Sequence, residues 1–217
     1  RRLDAGEIVD SAGRAIDPSA APADHEFVWY YRQLPEEQVL PYREEILFAD
    51  DDVVVVDKPH FLPTTPSGRY LRETTLVRLR VRLDNPYITP AHRLDRPTAG
   101  LVLFTARPEV RGAYQTLFER RRVAKTYEAV SALPPGWDPR ARTLDGHAVP
   151  LVRRDHLASP GGPQRTVIRP DLPPNAETAV DVLGHGHSAG GRPVLHTELR
   201  PRTGKLHQLR VQLAGLG

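Results

Sequence analysis

Hydrophobic residues recur along this chain in short runs separated by polar turns, a pattern that predicts several β-strands. Within residues 46–57 two strands are predicted on either side of the acidic turn at 50–52, and the second contains four consecutive valines typical of a buried strand. The apolar run Ala99–Phe104 predicts another buried strand. Two later strands are predicted over residues 179–183 and 194–199.

Two segments carry the helical periodicity of apolar residues. Residues 73–84 predict a helix with Thr74 or Thr75 as its N-cap. Residues 108–121 predict a second helix, because a proline suits its first turn and the cations Arg120–Arg122 suit its negative end. Their position at the helix end accounts for these cations, and a phosphate contact is an additional, less favoured role. The apolar face of this second helix comprises Val110, Ala113, Tyr114, Leu117 and Phe118.

Proline and glycine dominate the segments that lack such periodicity. Residues 132–175 predict loops and short strands. His185–His187, followed by the paired glycines 190 and 191, predicts a mobile turn. No carboxylate or thiolate accompanies these two histidines, so no metal site is predicted there.

Composition narrows the class of protein. The chain has 217 residues, of which 39% are hydrophobic and 26% charged, a globular profile that fits one domain with or without an appendage. It contains no apolar run of about 18 residues that would span a membrane, and no secretory signal region. The absence of cysteine excludes disulfides and thiolate metal sites.

The cations favour an anionic partner. The net charge is +3 and the isoelectric point is about 9.4. Only three cations are lysines, so the other 27 are arginines. A planar guanidinium binds phosphate through two hydrogen bonds and stacks on bases. GC-rich codon usage would produce the same bias, and both explanations stay open here.

The most informative chemistry lies in the stretch His92–Leu101. One carboxylate, Asp95, stands between two arginines just before a predicted buried strand. Neighbouring cations favour the ionised form of a carboxylate, which a nucleophile or a general base requires. Taken alone, the same pattern also fits a turn aspartate in an ion pair with Arg93 or Arg96.

Four sequence blocks resemble those of the RluA-type pseudouridine synthases, which convert uridine in RNA to its carbon-linked isomer. Residues 92–104 resemble the family pattern His-Arg-Leu-Asp-x-x-Thr-Ser-Gly-Leu-Leu-Leu-Phe, with Ala99 where serine is common. Together the four blocks span residues 46–217 in the family's order. The other three are Asp57–Pro59 with Leu62–Pro66, Val123–Ala129, and Arg202–Val211.

The resemblance implies an α+β pseudouridine synthase fold, mainly an antiparallel bent sheet with flanking helices and a central RNA-binding cleft. It implies that Asp95 is the catalytic carboxylate, acting either as a nucleophile or as a base that helps form an unsaturated sugar. Arg210 resembles the family arginine that pairs with this aspartate. Tyr127 resembles the tyrosine that stacks on the flipped uracil and serves as a candidate proton relay.

Five further residues are expected to bind the substrate. Arg93 resembles the arginine that enters the space vacated by the flipped base, and Leu209 resembles the apolar residue packed near that base. His92 is expected to orient its loop rather than to transfer protons. Arg96 and Lys58 complete the set.

Lysines and leucines around these blocks carry further expectations. Lys58, like Lys125 and Lys205, is interpreted as either a phosphate contact or a structural residue. A helix near the end of the chain is expected to turn three leucines inward beside Arg210. These are Leu206, Leu209 and Leu213.

The resemblance also suggests how the chain is organised. Residues 1–45 are expected to be an N-terminal extension, in which Gly6–Asp10 and Asp17–Pro18 resemble the end of an alpha-L-type RNA-binding module, a surface hairpin being the alternative. Trp29–Arg32 in this extension either stacks on RNA or packs against the protein. Residues 46–217 are expected to form the catalytic domain, which we expect to continue past residue 217.

The implied reaction is redox-neutral, so no cofactor and no metal are expected. The expected partner is ribosomal or transfer RNA, with no DNA or membrane partner, and the expected state is a cytoplasmic monomer. A non-catalytic RNA-binding protein of the same fold is the alternative, which the presence of Asp95, Tyr127 and Arg210 disfavours. A phosphotransferase is a third class, since His92–Asp95 resembles a kinase catalytic loop, but no Gly-rich phosphate loop precedes it.

Overall fold

The computed structural model describes residues 2–30, 36–134, 137–138, 143–144, 146–161 and 165–216. Within these ranges the chain forms short helices and mostly antiparallel strands, which confirms the α+β class. The helices are α1 (Thr75–Arg82), α2 (Pro108–Glu119) and α3 (Gln208–Ala214), with a 3₁₀ turn at Pro22–Asp24. The strands are β1 (Ile8–Val9), β2 (Trp29–Tyr30), β3 (Glu45–Ala49), β4 (Val53–Lys58), β5 (Thr89–Pro90), β6 (Gly100–Thr105), β7 (Tyr127–Ala132), β8 (Thr143–Leu144), β9 (His147–Ala148), β10 (Leu151–Asp155), β11 (Leu157–Ala158), β12 (Val167–Ile168), β13 (Ala176–His187) and β14 (Pro193–Pro201).

The first four-stranded sheet has the order β3-β4-β6-β5 and is antiparallel throughout. The valine run forms its central strand β4, where Val54 and Val56 are buried against Val102 and Phe104 of β6. β-Branched residues favour this environment because their stiff side chains pack well on a pleated surface. The predicted strand pair within residues 46–57 and the strand after Asp95 are therefore confirmed.

Helix α1 packs on this sheet and begins where the sequence predicted a cap. Thr74 adopts an extended backbone, and its hydroxyl accepts a hydrogen bond from the Val77 amide at 3.3 Å. Leu76 and Leu79 are buried in the same cluster as the sheet residues. The helix is shorter than the predicted 73–84 because it ends at Arg82.

Helix α2 matches its prediction in position and differs in burial. Pro108 occupies the first turn and the helix ends at Glu119, two residues before the predicted end. None of its residues is fully buried, and Leu117 on the apolar face is exposed. The periodicity of apolar residues therefore identified the helix correctly. It did not show how far these side chains are buried, because burial depends on the other elements that pack against the helix.

The second four-stranded sheet has the order β10-β13-β14-β7 and is also antiparallel. Its strands β13 and β14 contain the predicted strands 179–183 and 194–199 but extend beyond them. The predicted mobile turn at His185–His187 is wrong, because these residues continue β13 and pair with Pro193–Leu195. The turn itself lies at residues 188–192, where the Ser188 amide donates to the Arg192 carbonyl at 2.8 Å.

The N-terminal residues form a small ribbon. Strands β1 and β2 pair with each other, and the Ile16 amide donates back to the Ile8 carbonyl at 2.9 Å, which closes a hairpin. Trp29 is exposed in β2, whereas the remainder of the predicted aromatic–arginine strand, residues 31–32, lies outside the described residues. Further along, the Glu37 carboxylate accepts hydrogen bonds from three consecutive amides, those of Leu71, Arg72 and Glu73.

The two large sheets meet at Tyr127, the first residue of β7. Its ring packs against the core of the first sheet and against the core of the second. In place of one bent sheet, the described residues thus form two separate large antiparallel sheets, and both pack against Tyr127. None of the helices in the described part of the chain is long and apolar enough to cross a membrane.

Candidate active site

Asp95 lies in the loop between β5 and β6, where buried neighbours determine the backbone. Leu94 is buried in the core of the first sheet. The Thr64 hydroxyl donates to the Leu94 carbonyl at 2.9 Å and accepts from the Leu94 amide at 3.3 Å. The Thr98 amide donates to the Asp95 carbonyl at 3.0 Å, which closes a turn. Anchoring of Leu94 leaves the half-buried Asp95 side chain on the wall of the cleft.

Lys58 supports this loop from beneath, and its predicted role in substrate binding is wrong. The side chain is fully buried, and its ammonium donates to the carbonyls of Pro59 at 3.0 Å and Leu62 at 2.9 Å. The Arg96 carbonyl lies 3.5 Å away. Burial lowers the pKa of Lys58 to about 8, while the charges of Asp95 and Asp57 oppose this decrease. The structural alternative for this lysine is therefore the correct one.

Other residues of the first sequence block hold the same loop. The Phe61 amide donates to the Arg96 carbonyl at 2.8 Å, and His60 Nδ1 lies 2.6 Å from the Pro97 carbonyl. Phe61 adopts a left-handed backbone (φ 66°), a conformation that non-glycine residues rarely adopt. The block therefore acts as a scaffold for the residues on both sides of Asp95.

Arg210 reaches Asp95 from α3. Its Nη1 lies 3.1 Å from Asp95 Oδ2, and the pair lies on the wall of the cleft. A charged hydrogen bond of this kind restricts the rotation of the carboxylate. The structure thus brings together two residues that the sequence analysis paired only through resemblance.

A buried polar network fixes the position of α3. Gln208 donates to the Thr178 hydroxyl at 2.9 Å and to the Glu177 carbonyl at 3.1 Å. One turn later, Gln212 accepts from the same Thr178 hydroxyl at 2.6 Å and donates to Asp155 at 2.8 Å. Both glutamines are buried, so these bonds are shielded from water and attach the helix to β13 and β10.

Tyr127 and Leu209 supply apolar surface to the cleft. Both pack against the core of the second sheet and both line the cavity. Burial raises the pKa of the Tyr127 hydroxyl, and the negative charge of Asp95 raises it further. Tyr127 therefore retains its proton at neutral pH and can donate it in a hydrogen bond.

Only part of the expected inward face of α3 is observed. Leu209 and Leu213 pack against the second core as predicted. Leu206 lies in the turn before the helix and is exposed, so its assignment to that face is wrong. The helix starts at Gln208 because His207 interrupts the helical backbone with a left-handed conformation (φ 53°).

His92 is held in its loop by two contacts. Its Nε2 accepts a hydrogen bond from the Leu103 amide at 3.1 Å, and its ring stacks on Phe118 with centroids 4.4 Å apart. Burial lowers the pKa of His92 to about 4, and the charge of Lys125 contributes to the decrease. A neutral imidazole engaged in this way suits a residue that orients the loop.

Arg93 and Arg96 flank Asp95 and point to different surroundings. Both side chains are exposed. Arg93 lines the cavity, whereas the guanidinium of Arg96 lies 5.7 Å from the centre of the Tyr70 ring outside it. Neither forms an ion pair with Asp95 among the described residues, which leaves Arg210 as the observed partner.

The cleft has a volume of about 730 Å³, which is large enough to admit a nucleoside with its phosphates. Several lining residues were not predicted from the sequence, and these are Thr98, Phe118, Glu119, Thr203, His207 and Gln208. The clearest signal for them was their position within or next to the four sequence blocks. Arg121, Lys125 and Lys205 also line the cleft, and the sequence left each of them as either a phosphate contact or a structural cation.

In the part of the chain that the structure describes, no group of three or more His, Asp or Glu side chains could bind a metal ion. What the cleft presents is a carboxylate oriented by a guanidinium, a protonated phenol and apolar surface. Such a set can place a negative charge against a sugar or base and stack a planar ring beside it.

The chain is similar to known proteins over most of its length. The sequence profile of the family described as RNA pseudouridylate synthase matches residues 52–215. The chain is 31% identical over 183 residues to "tRNA pseudouridine synthase C" from Vibrio parahaemolyticus, covering 81% of this chain and 70% of that protein. It is 30% identical over 172 residues to "Dual-specificity RNA pseudouridine synthase RluA" from Escherichia coli, covering 79% and 72%.

Solved structures show the same fold. The human RNA pseudouridylate synthase domain containing 1 superposes with a TM-score of 0.62 at 24% identity, covering 81% of this chain and 66% of that one. The human domain containing 4 superposes with a TM-score of 0.57 at 23% identity, covering 79% and 64%. The chain thus spans about two thirds of the length of these solved proteins.

Proposed function

This chain belongs to the RNA pseudouridylate synthase family, and we propose that it isomerises uridine to pseudouridine in RNA with Asp95 as the reacting carboxylate. The observation that carries this proposal is the Asp95–Arg210 pair at 3.1 Å within the cleft. A carboxylate oriented by a guanidinium and faced by a stacking ring suits the breaking of a glycosidic bond better than simple RNA binding.

The reaction requires three steps. The bond between uracil N1 and the sugar breaks, the uracil rotates, and a new bond forms between the sugar and carbon 5, which loses its proton while N1 gains one. The target base must leave its helical stack to enter the cleft. Asp95 acts either by forming a bond to the sugar or base, or by removing a sugar proton to give an unsaturated sugar.

Arg210 and Tyr127 assist the carboxylate in this proposal. Arg210 fixes the rotamer of Asp95 through its charged hydrogen bond and stabilises the carboxylate anion. Tyr127 stacks its ring on the uracil, and because its pKa is raised, its hydroxyl is a hydrogen-bond donor to the base or its intermediate. Tyr127 also packs against the cores of both sheets, so a substitution there affects packing as well.

The remaining residues bind the substrate. Arg93 enters the space left by the flipped base, and Leu209 contacts the base from the floor of the cleft. His92 positions the loop through Leu103 and Phe118. Arg96, exposed beside Tyr70, is available to the RNA outside the cleft.

We further propose transfer RNA as the first substrate to test, because two relatives are named for tRNA: "tRNA pseudouridine synthase C" from Vibrio parahaemolyticus and "tRNA pseudouridine(32) synthase, mitochondrial" from Saccharomyces cerevisiae. Ribosomal RNA is the second substrate to test. Residues 46–217 are assigned to the catalytic domain and residues 1–45 to an extension. The proposed working form is a cytoplasmic monomer that acts on RNA and binds neither DNA nor membranes.

Tritium release tests the proposal directly. A tRNA transcript is labelled with tritium at carbon 5 of uridine and incubated with the chain, since formation of the carbon-linked isomer expels that hydrogen. Release that requires Asp95, followed by mapping of pseudouridine in the product, is the expected result. RNA binding without release from tRNA or rRNA transcripts would contradict an isomerase and favour the non-catalytic alternative.

A further inference from the structure

Five cationic side chains line the cleft, and three of them have no hydrogen-bond or ion-pair partner among the residues that the structure describes. Arg210 pairs with Asp95, and the Lys125 ammonium donates to the Thr203 carbonyl at 3.2 Å. Within the described residues, no hydrogen bond or ion pair engages the side chains of the other three. These are Arg93, Arg121 and Lys205.

Arg121 occupies a backbone position that suits glycine. It follows the end of α2 in a left-handed conformation (φ 56°). Its amide donates to the Phe118 carbonyl at 3.1 Å, and the Arg122 amide donates to the Leu117 carbonyl at 2.8 Å. This pair of bonds defines a Schellman motif, in which the left-handed residue is usually glycine because a Cβ is unfavourable there.

An arginine at such a position indicates a use for its side chain. The backbone would be more stable with glycine, and the exposed guanidinium forms no hydrogen bond or ion pair within the described residues that would compensate. Strained non-glycine residues concentrate at functional sites. His207, which also lines the cleft, has the same left-handed conformation (φ 53°).

Lys125 holds the turn that contains Arg121 against the loop that leads to α3. Its ammonium contacts the Thr203 carbonyl, and a Cβ on Gly204 would lie 3.7 Å from it. Arg121, four residues before Lys125, and Lys205, two residues after Thr203, both line the cleft, and we call the part of its wall that they form the rim. Glu119 is the carboxylate on the cleft wall besides Asp95, so unpaired positive charge predominates on this rim.

Charge is distributed unevenly along the chain in a way that favours this rim as an RNA contact. Residues 1–45 contain ten acidic and five basic side chains, a net charge of −5. Residues 46–217 contain seventeen acidic and twenty-five basic side chains, a net charge of +8. Phosphates are therefore attracted to the catalytic domain and repelled by the extension.

We propose that Arg121 binds a backbone phosphate of the RNA beside the target nucleotide, with Lys205 on the same rim. This inference rests on the proposed function, since it assumes that RNA enters the cleft. The competing explanation is that Arg121 only complements the negative end of the α2 dipole. The two explanations differ in what happens to RNA affinity when the side chain is removed.

Arg121→Gly tests the proposal, because glycine suits the backbone and the fold is retained. The probe is a fluorescein-labelled RNA stem-loop with uridines in its loop, and the readouts are Kd against salt concentration and the thermal midpoint. Loss of one phosphate contact should weaken binding about three- to tenfold and reduce the slope of log affinity against log salt by about 0.7 to 0.9. The thermal midpoint should be unchanged or higher, and Arg121→Lys should retain the slope.

Two control variants separate the side chain from the backbone. Asp84 is the left-handed residue (φ 47°) of the equivalent motif after α1, where the Asn85 amide donates to the Arg80 carbonyl at 3.0 Å, so Asp84→Gly makes the same backbone change outside the cleft. Arg82→Ala removes an exposed helix-end cation outside the cleft. Both should bind RNA with the wild-type salt slope.

The outcomes are distinguishable. Wild-type affinity and slope in Arg121→Gly would overturn the phosphate contact, as would an equal loss in Arg82→Ala. RNA binding that depends on Arg121 in a chain that releases no tritium would support the contact and contradict the isomerase.

Discussion

The Arg210 guanidinium lies 3.1 Å from the Asp95 carboxylate although 115 residues separate the two along the chain. The Arg210 side chain is 57% exposed and the Asp95 side chain 27% exposed, so solvent screens their attraction. Ion pairs in such surroundings contribute at most about 1 kcal/mol to stability. The value of this pair therefore lies in orienting the carboxylate, and its loss should affect the reaction far more than the fold.

We expect Asp95→Asn to abolish pseudouridine formation while RNA affinity stays within a few-fold of wild type. The amide keeps the shape of the side chain but neither attacks carbon nor accepts a proton. Tritium release in single-turnover reactions measures the chemical step, and fluorescence anisotropy measures binding. Residual turnover above about one percent of wild type would remove Asp95 from the catalytic role.

We expect Arg210→Ala to slow the single-turnover reaction by about 10²-fold or more, because the carboxylate loses its orientation. Arg210→Lys should recover only part of the rate, since a point charge does not reproduce a planar guanidinium. An unchanged rate with a shallower salt slope would instead make Arg210 a phosphate contact.

Lys58 should make the unfolding free energy depend on pH in the alkaline range. Its pKa in the folded protein is about 8, below the value of about 10.4 in an unfolded chain. The unfolded chain therefore binds more protons between these values, so wild-type stability rises relative to Lys58→Met as pH increases through this window. Urea unfolding from about pH 7 to about pH 10 measures the difference. A constant difference between the two proteins would contradict the buried position of the ammonium.

His92 should make the unfolding free energy depend on pH in the acidic range. Its pKa is about 4 in the folded protein and about 6.5 when unfolded. The unfolded chain binds the extra proton first, so wild-type stability falls relative to His92→Gln as pH decreases from about 6.5 to about 4. Glutamine does not titrate, and its amide oxygen can still accept from the Leu103 amide. Thermal midpoints of both proteins across this range check the prediction, and parallel pH curves would contradict it.

We expect a chelator to leave the reaction unchanged. The reaction is redox-neutral, and the sequence carries no thiolate and no Gly-rich phosphate loop. The assay uses RNA kept folded by monovalent salt, so that removing divalent ions does not unfold the substrate. Loss of tritium release on adding EDTA, with the RNA structure intact by circular dichroism, would show that a metal is required.

The elements of the first sheet were predictable because their signals are local. Four consecutive valines make a buried strand whatever lies elsewhere in the chain, and a threonine before an apolar helical repeat caps a helix through its own hydroxyl. The roles of Asp95, Arg210 and Tyr127 came from resemblance to a family, and their catalytic assignment stays a prediction.

The errors share one physical cause, which is that burial and pairing depend on distant residues. Gly190 and Gly191 lie in a turn as predicted, but the two histidines do not, because the ladder from Pro193 to Leu195 extends β13 through His187. Lys58 looks like a surface cation in sequence, but three carbonyls of the loop region surround its ammonium and exclude RNA from it. No local pattern contains that information.

The sequence by itself determined the helices, the strands β3, β4 and β6, the central parts of β13 and β14 and, through its four blocks, the family, because side-chain periodicity and short motifs act over a few residues. Only the tertiary structure decided that Asp95 contacts Arg210 and that Lys58 is buried beneath the loop that contains Asp95. It also decided that the Arg121 side chain lines the cleft with no hydrogen bond or ion pair among the described residues. Asp95 and Arg210 are 115 positions apart in sequence, and they meet because the two sheets pack against each other through Tyr127. That packing depends on residues throughout both cores, which no local pattern specifies.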